Sequence, residues 1–324
     1  MPQSLAMLSP GIEDDVFNSQ RGPEDETLYL IGRPAMGEDL GFLTTQVAPR
    51  SRLDAKQAAK EWRTANDVIN ELQVTEAGWA DKPVSLDLDP QVLPLLESLL
   101  ENETFRRSIE VVPIEVKMVE LDRLVIPQKA VNLSIVESVE RDLAANSGPK
   151  AIFQICMPIR HPRDSIRCLR ANNDTFVFVS QSHDLRFLDA SILDAAQIVS
   201  DPTRGLVSSV VGIMIGYSCN CVVAIEVQNR LVLVNGTHRA LALRRMGHTH
   251  APCIIQKISR PEERQLVAPG ALNRNPGEFL NLPRPMMLKD FLDTRLHRKV
   301  RLSRRVRQVK VSFSVETLDA PVPE

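Results

Sequence analysis

Apolar and polar positions along the chain change texture three times. From Ser51, the residues Ala58, Trp62, Ala65, Ile69 and Leu72 recur at spacings of three and four, which predicts a helix with one apolar face ending near Gly78. Asp89-Pro90 ahead of Val92–Leu100 predicts a second helix, with the Asp as cap and the proline in its first turn. Before these lies an acidic, Pro- and Gly-containing start with one short apolar run, Leu28–Ile31, closed by Gly32-Arg33-Pro34. From Val111 the pattern turns β-branched. Val111–Val119, Ala151–Ile159, Thr175–Ser180, Leu206–Tyr217, Cys221–Val227, Leu231–Val234 and Ala251–Ile258 read as strands. Helices interrupt them from Ser134 to Ala145, opened by a Ser134–Glu137 capping box, and over Asp189–Val199. Beyond Arg260 a Pro-, Asn- and Gly-rich stretch runs to Pro285, followed by a basic run from Arg295 to Lys310 and an alternating segment, Val309–Val315.

This succession predicts an α+β protein. Residues 1–110 form a partly ordered, then mainly helical N-terminal region. Residues 111–258 form an α/β domain with an insert near 160–205, and residues 259–324 form a C-terminal extension with a basic run.

Composition narrows the reading. With 324 residues and 43% hydrophobic content the chain can bury a substantial core. Its 39 Lys+Arg against 41 Asp+Glu give a net charge of −2, so attraction to nucleic acid must come from a local patch. The apolar runs are broken well short of the roughly 18 residues that a membrane span needs, and the N-terminus lacks a signal-peptide pattern, so a cytoplasmic protein with no membrane partner is expected. The five cysteines, an odd number in apolar surroundings, suit reduced core thiols.

The chemistry concentrates where the apolar strand Leu231–Val234 runs into Asn235-Gly236-Thr237-His238-Arg239 and an Ala/Leu-rich helix closed by Gly247. A strand, a tight glycine turn and a helix leave the first helical N–H groups unpaired at the positive end of the dipole, where an anion binds. Gly236 opens the approach to the backbone, and Arg239 could grip phosphate oxygens bidentately. A plain structural junction, with Thr237 as the cap and Arg239 as a solvated first-turn residue, accounts for the same pattern.

The segment Val234–Arg239, with the following helix, Gly247 and Ala251-Pro252-Cys253-Ile254-Ile255, resembles the G-x-x-R box of the ParB/sulfiredoxin superfamily. Upstream, Val119–Gln128 and the helix after it look like the first strand, loop and helix of such domains. The resemblance spans roughly residues 111–258 and implies a nucleoside triphosphate held by Gly236, Thr237, His238 and Arg239. It makes Glu120 the candidate catalytic acid, assisting a Mg²⁺ ion or a nucleophile if hydrolysis or phosphotransfer occurs. Arg186, in the polar cluster Ser180–Arg186 with His183 and Asp184, is expected as a secondary nucleotide contact. Two departures matter. Thr237 stands where the superfamily's peroxiredoxin-repair enzyme has a cysteine, and no helix-turn-helix of the DNA-partition type follows Ile258.

Cys219-Asn220-Cys221 and His248-Thr249-His250 have no zinc-finger or zinc-ribbon spacing, so no metal site is expected from them. The Arg295–Lys310 run offers a surface for DNA or an acidic protein partner. The expectation is a nucleotide-binding protein, either an NTP hydrolase, phosphotransferase or nucleotide-dependent switch, or a non-catalytic regulatory or interaction subunit. A homo-oligomer is left open.

Overall fold

The computed structural model describes residues 23–33, 35–109, 111–158, 165–182, 185–194, 207–217 and 219–319. Contacts divide the described chain into a larger unit, within residues 23–158 and 219–304, and a smaller one, within residues 165–217 and 305–319. The chain is α+β. Among the described residues no helix is long and apolar enough to cross a membrane.

In the larger unit the chain runs through strand β1 (Glu24–Leu30), helices α1 (Met36–Gly41) and α2 (Ala55–Glu76), strand β2 (Ser85–Leu86), and helices α3 (Leu93–Glu101) and α4 (Glu103–Ile109). Strand β3 (Ile114–Glu120), strand β4 (Ala130–Asn132) and helices α5 (Leu133–Ala144) and α6 (Pro149–Cys156) follow. Helix α2 forms as its spacing predicts. Asp54 accepts from the Gln57 N–H at 2.8 Å, and Ala58, Ala65, Val68 and Ile69 are its buried stripe. Where β1 meets α2, Gly32 has φ +87°, and a Cβ there would lie 2.7 Å from the Ala65 backbone.

Two helix readings change. The cap of α5 is Asn132 rather than Ser134, because Asn132 Oδ1 accepts from the Ser134 N–H at 2.9 Å and places Ser134 inside the helix. The stretch expected as a strand over Ala151–Ile159 is helix α6 as far as Cys156, and Ile159 lies outside the described residues. Pro149 occupies its first turn, and Ile152, Phe153 and Cys156 bury one face.

The smaller unit contains β5 (Arg167–Asn172), β6 (Thr175–Ser180), β7 (Leu185–Asp194), β8 (Ser209–Tyr217) and, from the C-terminal region, β13 (Arg307–Ser312). The order β13-β6-β5 makes one antiparallel sheet, while β7 and β8 pair with each other. The helix expected over Asp189–Val199 is corrected as far as Asp194, where antiparallel pairing with β8 overrides the helical propensity of its Ala and Leu residues. Residues 195–199 lie outside the described residues.

Back in the larger unit come β9 (Val223–Val227), β10 (Arg230–Asn235), helix α7 (Thr237–Arg245) and β11 (His250–Lys257). The stretch expected as loop then folds into three short helices, α8 (Pro261–Val267), α9 (Gly270–Arg274) and α10 (Pro276–Leu280), before strand β12 (His297–Ser303). The main sheet has the order β10-β9-β11-β3-β2, with β9 and β11 parallel and the other neighbours antiparallel. A second sheet, β12-β1-β4, pairs the N-terminal region with both the central segment and the C-terminal extension. Parts of all three sequence segments therefore lie in the larger unit, while residues 162–218 and the chain from Arg305 belong to the smaller one.

A buried ion network ties these segments together. Asp290 accepts from Arg33 Nη2 at 2.6 Å and from Arg284 Nη2 at 2.6 Å, while Arg284 Nε reaches Glu76 at 2.8 Å. Lys289 pairs with the other Glu76 oxygen at 2.8 Å and lies 3.5 Å from the centre of the Trp79 ring.

Candidate functional site

Strand β10 is buried through Leu231, Val232 and Leu233 because it is flanked on both sides. Strand β9 pairs along one edge, and on the other the Val125 N–H donates to Leu231 O at 2.9 Å while the Leu233 N–H donates to Val125 O at 2.8 Å. The strand ends at Asn235, and Gly236 turns the chain into α7 at φ +100° and ψ 15°. A Cβ at Gly236 would lie 2.8 Å from Val222 Cγ2 and 3.1 Å from Val222 Cα. Gly236→Ala therefore meets both a left-handed backbone and a clash. The expected loss is about 2–3 kcal/mol, read from chemical denaturation, and shortening Val222 recovers only part of it because the backbone strain of about 1–2 kcal/mol remains.

The side chains after the glycine turn inward. Thr237 is buried, as are Ala240 through Leu243. His238 Nε2 accepts from the Asn132 N–H at 3.1 Å, at the β4–α5 junction. A ring nitrogen that accepts is unprotonated, so its proton sits on Nδ1. Arg239 Nη1 donates to the carbonyls of Ile155 at 3.1 Å, Cys156 at 3.4 Å and Asn220 at 2.5 Å, and Nη2 donates to Asn220 Oδ1 at 2.8 Å. Asn235 Nδ2 reaches the same Oδ1 at 3.2 Å, and Cys156 O also accepts from the Val222 N–H at 2.7 Å.

Arg239 thus satisfies carbonyls at the C-terminal end of α6, where helical carbonyls lack partners and a cation is favoured. Cys156, Cys221 and Cys253 are buried in the same core, and burial pushes the Cys156 and Cys221 thiols up to about 12 and raises Cys253 as well. The Arg239 charge acts in the opposite direction without undoing that rise. These thiols stay protonated and are poor nucleophiles.

Glu120 is not brought to the turn. It closes β3 opposite His250 and forms an ion pair with Arg123 at 2.8 Å. The segment after it is fixed at the other end of α7, where the Leu121 N–H donates to Thr249 O at 2.9 Å and Arg244 binds Asp122 at 2.7 and 3.1 Å. The nine residues of α7 separate this end from Gly236 by about 13 Å of helix. Cys219–Cys221 and His248–His250 are likewise divided between the two ends. Among the described residues no group of three metal-ligating side chains gathers.

Arg186 belongs to the smaller unit, exposed on β7 opposite Gly216. His183 and Asp184 lie outside the described residues. The basic run divides between β12 and β13, hence between the two units. Several of its charges are already paired: Arg295 with Asp293 at 2.7 Å, Arg298 with Glu61 at 2.6 Å, and Arg304 with Asp25 at 2.7 Å.

Asn132 and Asn220, the partners of His238 and Arg239, were not singled out in the sequence. Their one local signal is position, immediately before a helix and between two cysteines. No protein-family model matches this sequence, and neither the curated proteins nor the solved structures include a match to it.

Proposed function

We propose that this chain is a non-catalytic nucleotide-binding protein of ParB/sulfiredoxin-like fold, in which the Gly236 turn takes phosphate oxygens on its backbone N–H groups. The order β3, turn, β4 and α5, followed after the insert by β9, β10, the glycine turn, α7 and β11, supports the fold reading. The observation that carries the functional reading is the division of labour at the turn. Gly236, held as glycine by its left-handed backbone and by Val222, turns the chain into α7, while Arg239 and His238 hold neighbouring backbone, which leaves the helix-opening backbone as the group offered to an anion. The separation of Glu120 from the turn supports binding without turnover, in a regulatory or switch role.

Arg239 also grips both roots of the 162–218 segment, through Ile155 and Cys156 on the outgoing side and Asn220 on the return. A phosphate at the turn would therefore be felt at these roots. Thermal unfolding with ATP, CTP, GTP and UTP, with and without Mg²⁺, tests the reading together with a phosphate-release assay. At least one nucleotide is expected to raise the transition, by about 2.7 kcal/mol of stability at a hundredfold excess over Kd, without phosphate release. No shift with any nucleotide would remove the reading, and turnover lost in Glu120→Gln would restore a catalytic one.

A further inference from the structure

We propose that a cavity of the larger unit, distinct from the Gly236 turn, binds a small monocarboxylate with an apolar body. The cavity has a volume of about 230 Å³ and is bordered by Arg33, Lys129 and Arg274, with Phe279, Leu282 and Met286 as apolar wall. Such a mixture, an apolar wall with a few charged groups, is what small-molecule sites present, and the volume lies below the roughly 300–1,000 Å³ of drug-sized pockets. It equals on the order of eight water volumes at about 30 Å³ each, which suits a ligand of similar heavy-atom count.

The sign of the ligand follows from the buried charges behind the wall. Arg33 and Arg284 share Asp290. Glu76 serves both Arg284 and Lys289. Within this network three cations, Arg33, Arg284 and Lys289, face two carboxylates, Asp290 and Glu76, and Arg33 is the cation that borders the cavity. Burial and the neighbouring Arg284 charge hold the Arg33 guanidinium below its usual range, against the opposing pull of Asp290. A carboxylate in the cavity would supply the missing negative charge.

Arg274 offers a second cation from the α9 side. Its Nη1 sits 3.2 Å from where a Gly270 Cβ would be, so the glycine leaves it room. The Lys129 ammonium is drawn toward buried Asp39 at 3.1 Å. Glu38 and Glu278 also border the cavity and would repel a polyanion, which argues for a single negative charge and against phosphate or nucleotide.

Calorimetric titration of the full chain with 4-methylpentanoate, 4-methylpentan-1-ol, succinate and inorganic phosphate tests the site. The carboxylate is expected to bind and the alcohol to bind at least about tenfold more weakly, as expected for loss of a charge-assisted contact. Arg274→Ala, an exposed change, should weaken 4-methylpentanoate by about tenfold, and Glu278→Gln should strengthen succinate several-fold. The proposal is overturned if 4-methylpentanoate gives no binding at tens of millimolar, if the alcohol matches it, if phosphate binds better, if Arg274→Ala binds as well as the wild type, or if Glu278→Gln leaves succinate unchanged.

Discussion

Asp290→Ala is expected to lower the unfolding free energy by about 3–5 kcal/mol, enough to threaten the folded state of a typical domain. Asp290 is 2% exposed and is bonded to Arg33, to Arg284 and to the Met287 N–H at 3.1 Å. Removing it strands two buried guanidiniums that cannot shed their protons, so the cost is that of unpaired charge rather than of one lost bond. The network joins the end of β1, the end of α2 and the stretch before β12, so the loss should be cooperative across the larger unit. Urea unfolding of the wild type, Asp290→Ala and Asp290→Asn gives the comparison. The asparagine variant can still accept the Met287 N–H and should fall between the other two.

Arg239→Ala is expected to cost about 2–4 kcal/mol, with a local signature that a generic core defect would lack. The carbonyls of Ile155, Cys156 and Asn220 lose their shared donor, and with it the link between the end of α6 and the stretch that leads into β9. Limited proteolysis should therefore cut faster at residues 157–161 and 219–220 than elsewhere, at conditions where the global fold persists. Equal acceleration over the whole chain would mean that Arg239 supports the core without specifically holding the roots of the insert. Arg239→Lys keeps a charge but not the planar fork, and should retain part of the protection.

The sequence was most legible where one signal was repeated locally. Helix α2 combines a cap, an apolar stripe at helical spacing and a nearby stop, and the strand–glycine–helix unit around Gly236 is equally local. It was least legible where tertiary pairing decides. The run at Ala151 is apolar under either period, and only Gly148-Pro149 ahead of it marks the first turn of α6. Strand β7 has helix-forming residues but finds a partner in β8. The α+β class was therefore readable, while the interleaving of the N- and C-terminal segments through β12-β1-β4 was not, because strand partners distant in sequence leave no local mark.

The site divides in the same way. That Gly236 must be glycine follows from its turn and is reinforced by Val222, whose proximity no spacing announces. Arg239 was a reasonable phosphate ligand by residue type, since a first-turn arginine can point either way. Its direction follows the carbonyls of Ile155, Cys156 and Asn220, which tertiary packing brings beside the turn and no local spacing announces. Glu120 was placed by analogy with the loop that follows it, and the register of β3 with β11 carries it to the far end of α7.

Hydrogen exchange of the backbone amides from Gly236 to Arg239, followed with and without a saturating nucleoside triphosphate, tests the central claim most directly. If the turn holds phosphate on its N–H groups, exchange at Thr237, His238 and Arg239 slows on binding in both the wild type and Arg239→Lys. Exchange there that is unchanged by a nucleotide that does bind would contradict the account and place the ligand elsewhere on the chain.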